Sequence, residues 1–312
     1  MAKKIHKNEN LLHIFVICNQ MNAIVAYEYI KENKINYNDI RIFLSRDISA
    51  LGLFEGMNFI NCKRGFIQKI GDHFFSALSY GSLIKKTIES EKQQFIYYVS
   101  WLDDISMQIV DSIYCIGHIY FEEGDQSYRE DFPLFSSSPD YKRIPKKIIH
   151  HRNFVDFYRD DGMLWIGVSE KSFPTAPVKK KYILRSFDNF KKVYRPLLKE
   201  YKTILLMPSP GRLPRSEWKK AISKLAHAAD EPFALKLHPG FGVKLNTYKE
   251  FQSYLIDLGF TQSIVCSDEV IIEGEMLSHK KVLIGDRSSL SRYAGLFGSI
   301  FLEIEFLYGK AY

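Results

Sequence analysis

Cysteine is scarce in this chain: four in 312 residues, at Cys18, Cys62, Cys115 and Cys266. None is spaced as a metal ligand, which excludes zinc ribbons and fingers, and four isolated thiols make no disulfide framework. Cys18, Cys115 and Cys266 lie in apolar runs and read as reduced core residues of a cytoplasmic protein. Long hydrophobic runs are also missing. No stretch approaches the ~20 apolar residues that span a bilayer, so any membrane contact is expected to be peripheral. The opening "MAKKIHKNENLLHIFVICNQ" has a basic start and a short apolar run. It lacks a small-residue cleavage site and is interrupted by Asn19 and Gln20, so it reads as a first strand rather than a signal peptide. There is no internal repeat, no low-complexity segment and no RNA-binding aromatic signature, and nucleic acid is not an expected partner.

What the chain does have is core material, 46% hydrophobic and 14% aromatic residues, with a net charge of +7. That balance suits anionic partners such as nucleotides, phospholipid headgroups or anionic sugars. Strand and helix signals alternate through the first half. Leu11–Cys18, Asp39–Leu44, Gln94–Ser100, Tyr114–Phe121 and Met163–Val168 read as strands. Gln20–Asn33 has helical spacing through Ile24, Tyr27 and Ile30, and Gly71–Ser90 is a long helix candidate. Strands separated by helices imply parallel pairing, because a parallel crossover needs a connection of that length.

At Ser172–Lys181 the sequence turns to "SFPTAPVKKK", which reads as a linker. The alternation then restarts. Strands are expected at Lys202–Met207, Phe233–Leu237, Ser263–Cys266, Val282–Gly285 and Ile300–Ile304. Helices are expected at Ser216–Ala229, Thr247–Leu258, Ile271–Ser278 and Ser289–Phe297. The expected fold is therefore α/β: two Rossmann-like, doubly wound domains, residues 1–175 and 176–312, facing each other across a cleft.

Several strand ends carry chemistry. "EEG" at Glu122–Gly124 follows an apolar strand; a carboxylate there could take a proton from a hydroxyl, and a second beside it would raise its pKa. Acids and glycine equally suit a solvated turn. "LKLHPG" presents His238 at a strand end, with Pro239 stopping the ladder; the imidazole could donate to a phosphate or simply sit in a turn. "GDRSSLSRYAG" puts Ser288 and Ser289 at a helix start after a strand, a pattern for phosphate binding or for plain N-capping by Ser288. Glu273 and Glu275 open another helix, where acids bind ribose hydroxyls or complement the dipole. "RDDG" at Arg159–Gly162 reads as a turn, and Asp104 in "WLDD" as a helix cap.

The ordered set Glu122-Glu123-Gly124, His238-Pro239 and Ser288-Ser289 resembles the acid-acid-Gly, His-Pro and Ser-Ser motifs of bacterial lipooligosaccharide and capsule sialyltransferases and polysialyltransferases. "VICNQMNAIVAYEYI" and "WIGVSEKSFP" look like that family's first strand and helix and its exit from the first domain. The resemblance implies a GT-B fold, CMP-sialic acid as donor, inversion at the anomeric carbon, and no cofactor or metal. It implies Glu122 as general base with Glu123 beside it, and His238 binding or protonating the leaving phosphate. Lys236 and Pro239 would lie in the nucleotide site, Ser288 and Ser289 on the phosphate, and Glu275 on the ribose. It implies a first domain on the acceptor side and a second that binds the CMP-sugar. The acceptor would be a surface glycan, lipid-linked, at the cytoplasmic face of the inner membrane, and a homodimer is compatible with all of this. Pseudaminic acid, legionaminic acid and Kdo transferases share such motifs. A UDP-sugar transferase or epimerase, and a non-catalytic basic binding protein, are the remaining alternatives.

Overall fold

A computed structural model describes residues 11–44, 49–59, 84–132, 134–135, 158–241 and 245–305. The chain divides into two units, the first running through Phe190 and the second beginning at Lys191.

The first unit is built on a seven-stranded sheet of order β3-β2-β1-β4-β5-β8-β9. Its strands are β1 (Leu12–Ile17), β2 (Ile40–Leu44), β3 (Asn58–Phe59), β4 (Phe95–Val99), β5 (Cys115–Phe121), β8 (Leu164–Gly167) and β9 (Lys181–Ile183). β6 (Leu134–Phe135) and β7 (Tyr158–Arg159) form a separate parallel pair. Every neighbouring pair in the large sheet is parallel. β1 and β4 are buried along their whole length, the signature of a parallel strand covered on both faces, and this is why they read as continuous apolar runs. Register is tight: Phe15 pairs with Tyr98, Tyr98 with Ile119, and Tyr120 with Trp165. The ends of β1, β4 and β5 therefore fall at one edge. The chain leaves β1 toward β2 on one side and returns to β4 on the other, so that edge is a topological switch point.

Helix α1 (Gln20–Glu32) follows β1 and is buried continuously from Met21 to Ile30. It is thus a core helix rather than one with a single apolar face. Helix α2 (Asp104–Val110) is capped by Asp103, whose Oδ1 accepts from Ser106 N at 2.7 Å, so the cap is Asp103 and not Asp104. Of the helix expected over Gly71–Ser90, residues 84–89 are helical and the remainder lies outside the described residues, as does Cys62.

The stretch Ser172–Lys181 is not a linker. Phe173 and Ala176 are buried in the first unit's core, Phe173 N donates to Ser127 O at 2.6 Å, and Lys181 opens β9 against Trp165. Two apolar side chains among the prolines hold this segment down. The division between the units falls later, within helix α3 (Asp188–Val193).

The second unit carries a five-stranded parallel sheet of order β12-β11-β10-β13-β14. Its strands are β10 (Thr203–Leu206), β11 (Phe233–Lys236), β12 (Ile264–Val265), β13 (Val282–Gly285) and β14 (Ile300–Glu303). Between them run α4 (Trp218–Ala226), α5 (Leu245–Asp257), α6 (Ile272–Ser278) and α7 (Ser289–Leu296). Its switch point lies between β10 and β13. Gly285 is obligatory there: a Cβ would come within 2.8 Å of Leu206 Cβ and 3.0 Å of its carbonyl oxygen.

One buried group in the first unit gives a pH signature. His118 lies inside β5, its Nε2 3.0 Å from the Tyr120 hydroxyl and 3.7 Å from Asp161 Oδ1. Burial lowers its pKa to about 4, outweighing the opposing pull of Asp161. The unfolded chain binds the proton first, so stability falls as pH drops from about 6.5 toward 4, by roughly 3 kcal/mol for this group. Urea midpoints measured across that window should decline less steeply in His118→Gln than in the parent.

Candidate functional site

The switch-point edge of the first sheet gathers the acid pair. Gly124 has φ 141° and ψ −142°, a conformation only glycine adopts readily, and so lets the chain turn sharply out of β5 into the short helical turn Asp125–Tyr128. Glu122, just before the turn, is fully buried. Its Oε1 accepts from the Tyr128 hydroxyl at 2.6 Å; its Oε2 accepts from Val168 N at 2.8 Å and Ser172 Oγ at 2.6 Å. Gly167 makes room for this, since a Cβ there would lie 2.5 Å from Ser172 Cβ and 3.3 Å from Glu122 Oε2. Glu122 thus ties β5 to the chain leaving β8. A general base must meet its substrate, and a carboxylate enclosed in this way does not fit the role.

Glu123, one residue on, is only half-buried. Asn19 Nδ2 donates to its carbonyl oxygen at 2.5 Å and to its Oε2 at 2.8 Å, and Ser127 Oγ receives its backbone N–H at 3.2 Å. Asn22 joins the same edge together, donating to Ser100 Oγ at 3.0 Å and Glu122 O at 3.2 Å while accepting from Cys18 N at 3.1 Å. Of the two acids, Glu123 is the one that keeps exposed surface.

In the second unit, three loops converge on the switch point. His238 follows β11; its Nδ1 accepts from Gly240 N at 2.9 Å, which leaves the proton of the neutral ring on Nε2. Partial desolvation of the ring lowers its pKa, and Arg212 pushes in the same direction. A Cβ on Gly240 would lie 3.1 Å from that Nδ1 and 3.2 Å from Pro210 Cδ, so the loop after β10 packs on the His238-Pro239 turn. From that loop Arg212 Nη1 reaches Asp286 Oδ2, after β13, at 3.4 Å. Two residues on, Ser288 occupies the N-cap position of α7, yet its side chain makes no capping bond, and its buried Oγ has no hydrogen-bond partner among the described residues. Simple capping by Ser288 is therefore not what the structure shows. The hydroxyl is left unspent at the start of an eight-residue helix that Ser289 opens.

Lys236, at the end of β11, is half-buried and donates to Ser267 O at 2.8 Å. Burial lowers its pKa against the pull of Cys266, Asp268 and Glu273. Glu275 is fully buried and committed: Oε1 accepts from the Tyr194 hydroxyl at 2.9 Å and Leu197 N at 2.7 Å, Oε2 from Leu198 N at 3.2 Å, with Lys281 Nζ 3.9 Å away. It holds the entry segment of the second unit and does not suit a ribose contact. Glu273, in the same first turn, is half-buried; burial raises its pKa and Lys236 opposes the rise. Sequence reasoning passed over Asn19 and Arg212. A cation in a loop following a strand was the available signal for Arg212; none marked the tie between Asn19 and Glu123. Among the described residues no group of three or more His, Cys, Asp or Glu could hold a metal, and no helix is long and apolar enough to cross a membrane.

No protein-family model matches the sequence, and no curated protein matches it. Solved structures do match by fold. A UDP-N-acetylglucosamine 2-epimerase aligns over 95% of this chain and 80% of its own, with TM-score 0.50 and 12% identity. The S. aureus MnaA–UDP co-structure aligns over 96% of this chain and 80% of its own, with TM-score 0.53 and 11% identity. The fold is GT-B. Its two Rossmann-like domains are those expected from the alternating strands and helices. By name, one of these structures is a UDP-sugar epimerase and the other a complex with UDP, and at this identity the likeness extends to architecture alone.

The two acids should separate in a stability measurement. Glu122→Gln sets an amide N–H₂ against donors and should cost about 2–4 kcal/mol in urea unfolding, with Glu275→Gln similar. Glu123→Gln keeps an acceptor toward Asn19 and should cost less than about 1 kcal/mol.

Proposed function

We propose that this chain is a nucleotide-sugar glycosyltransferase of GT-B fold, inverting at the anomeric carbon. The observation that carries the reading is the second unit's switch point. An unspent serine hydroxyl at a helix N-terminus, the Nε2–H of His238 and the Arg212 guanidinium are gathered there by three loops. Helix N–H groups and hydroxyls at such a point suit a phosphate, by charge and by geometry. Ser288 and Ser289 bind the donor phosphate, His238 donates to it as it leaves, Pro239 fixes the histidine's turn, and Lys236 and Glu273 serve the nucleoside. In the first unit, Glu123 takes the proton of the acceptor hydroxyl.

The chemistry follows from these roles. A sugar hydroxyl is a weak nucleophile, and a positioned carboxylate supplies about 10²–10⁴-fold by accepting its proton as the bond to the anomeric carbon forms. The leaving phosphate accumulates negative charge, and preorganised donors of this type are worth about 3 kcal/mol each.

For the donor, the motif set supports CMP-sialic acid or another CMP-activated nonulosonic acid or Kdo, with a surface glycan as acceptor. A second reading, a UDP-sugar transferase or epimerase, is favoured by the names of the structural neighbours. Calorimetry with CMP and UDP, followed by assays of CMP release from CMP-sialic acid and UDP release from UDP-N-acetylglucosamine, decides between them. CMP binding tighter than UDP supports the first; the reverse order discards it.

With the donor that turns over, Glu123→Gln should lower transfer by about 10²–10⁴-fold and leave nucleotide affinity intact. Full activity in that variant removes Glu123 as base. Ser288→Ala and Ser289→Ala should each lower turnover about 10²-fold or more.

A further inference from the structure

The side chain of Asn19 makes three hydrogen bonds at the switch point of the first sheet. Its Oδ1 accepts from Asn22 N at 2.9 Å, and its Nδ2 donates to Glu123 O at 2.5 Å and to Glu123 Oε2 at 2.8 Å. The orientation of the amide is not arbitrary. A backbone N–H can only donate, so the atom facing Asn22 N is the oxygen. The nitrogen is then left for two groups that can only accept, a carbonyl and an ionised carboxylate. The backbone of Asn19 is extended, with φ −157° and ψ 179°, as an N-cap requires. One residue therefore both begins α1 and grips the acid pair a hundred residues away.

Glu123 is restrained at every level. Its carbonyl is held by Asn19, its N–H by Ser127 Oγ, and the following residue is turned by a glycine at φ 141°. Its carboxylate is drawn to Asn19, at the N-terminal end of a thirteen-residue helix whose dipole favours negative charge. Among the described residues the titratable neighbours include Glu122, hydrogen-bonded to Tyr128, and Tyr158, which senses the charge of Glu123; Cys18 is at the same edge through Asn22.

We infer that Asn19 is a positioning residue, whose amide fixes the carboxylate of Glu123 in one orientation at the edge where the acceptor hydroxyl is deprotonated. This rests on the reading of Glu123 as the base. A carboxylate held by an N–H donor is easier to keep ionised than one without it, and a fixed direction of approach is what a proton acceptor needs.

Asn19 has two duties, and the substitutions must separate them. Asn19→Ser keeps a cap oxygen for the helix and deletes the donors to Glu123; Asn19→Asp also caps but places a like charge beside Glu123. In the full chain with ¹³C-labelled glutamate, Glu123→Gln assigns the Glu123 carboxyl resonance. Its titration midpoint should move up by about one pH unit in Asn19→Ser and further in Asn19→Asp. In the release assay with the donor that turns over, kcat should fall about 10-fold or more in Asn19→Ser, and the acid limb of the rate profile should move up with the midpoint. Nucleotide affinity should not change. A midpoint unmoved in a folded Asn19→Ser protein overturns the assignment, as does a loss of turnover with an unmoved acid limb, which is the result of mere structural damage. Failure of the underlying reading is distinct: turnover retained in Glu123→Gln. An inactive Glu123→Gln beside an unaffected Asn19→Ser overturns Asn19 alone.

Discussion

Three fully buried carboxylates among the described residues, Glu28, Glu122 and Glu275, are the constraint on which much of this structure depends. A carboxylate removed from water is costly unless donors converge on it, so each such group dictates where other parts of the chain must be. Glu28, in α1, accepts from Asn189 Nδ2 at 2.8 Å and Phe190 N at 2.9 Å, and so fixes the start of α3 on the first unit. Glu122 fixes the chain leaving β8 against β5. Glu275 fixes residues 194–198 on the second unit. In each case backbone N–H groups of a loop or helix start, unsatisfied by any ladder, find their acceptor in a glutamate far away in sequence. The carboxylates substitute for secondary structure where secondary structure ends.

This use of acids explains the division of labour at both candidate sites. In Glu122-Glu123 and in Glu273-Glu275, one member is enclosed and committed to backbone donors, and the other is half-buried and near the groups that chemistry would use. The enclosed member makes the edge rigid; the accessible one inherits a fixed platform. A catalytic group held within a fraction of an ångström by packed neighbours is worth more than one on a mobile loop. In the first unit the platform includes Gly124, Ser127, Asn22 of α1 and its N-cap Asn19.

The fold was largely legible because parallel strands buried on both faces announce themselves as short apolar runs, as "LHIFVI" and "FIYYV" do. β9 was not, because "KYI" is short and follows a segment with two prolines; only the burial of Phe173 and Ala176 reveals that the segment belongs to the first unit. At the sites, sequence located the strand ends that carry these acids but not which member of each pair is enclosed. On leaving a strand, successive side chains point in opposite directions, so which of two adjacent glutamates is enclosed depends on the register of β5 against β8. The helical pair Glu273 and Glu275 stayed unresolved for the same reason in another geometry: residues two apart on a helix point to different sides. Composition carries neither fact. Asn19 was invisible because its partner, Glu123, is distant in sequence and no local pattern joins them.

The electrostatics of the second switch point bear on the donor. His238 has its pKa lowered and its Nδ1 occupied by a backbone N–H, so near neutral pH it offers a hydrogen bond rather than a positive charge. Arg212 is already shared with Asp286. What the cradle offers from these groups is therefore mainly dipolar: helix N–H groups, serine hydroxyls and an imidazole N–H. A phosphodiester linking a nucleoside to a sugar carries one negative charge, whereas a diphosphate carries two. Dipolar donors at a helix N-terminus, equivalent to about half a unit charge, balance the first more completely than the second. This balance, which concerns the phosphate alone, is the physical ground for the proposal of a nucleoside monophosphate sugar; the carboxylate of a nonulosonic acid would need a partner of its own.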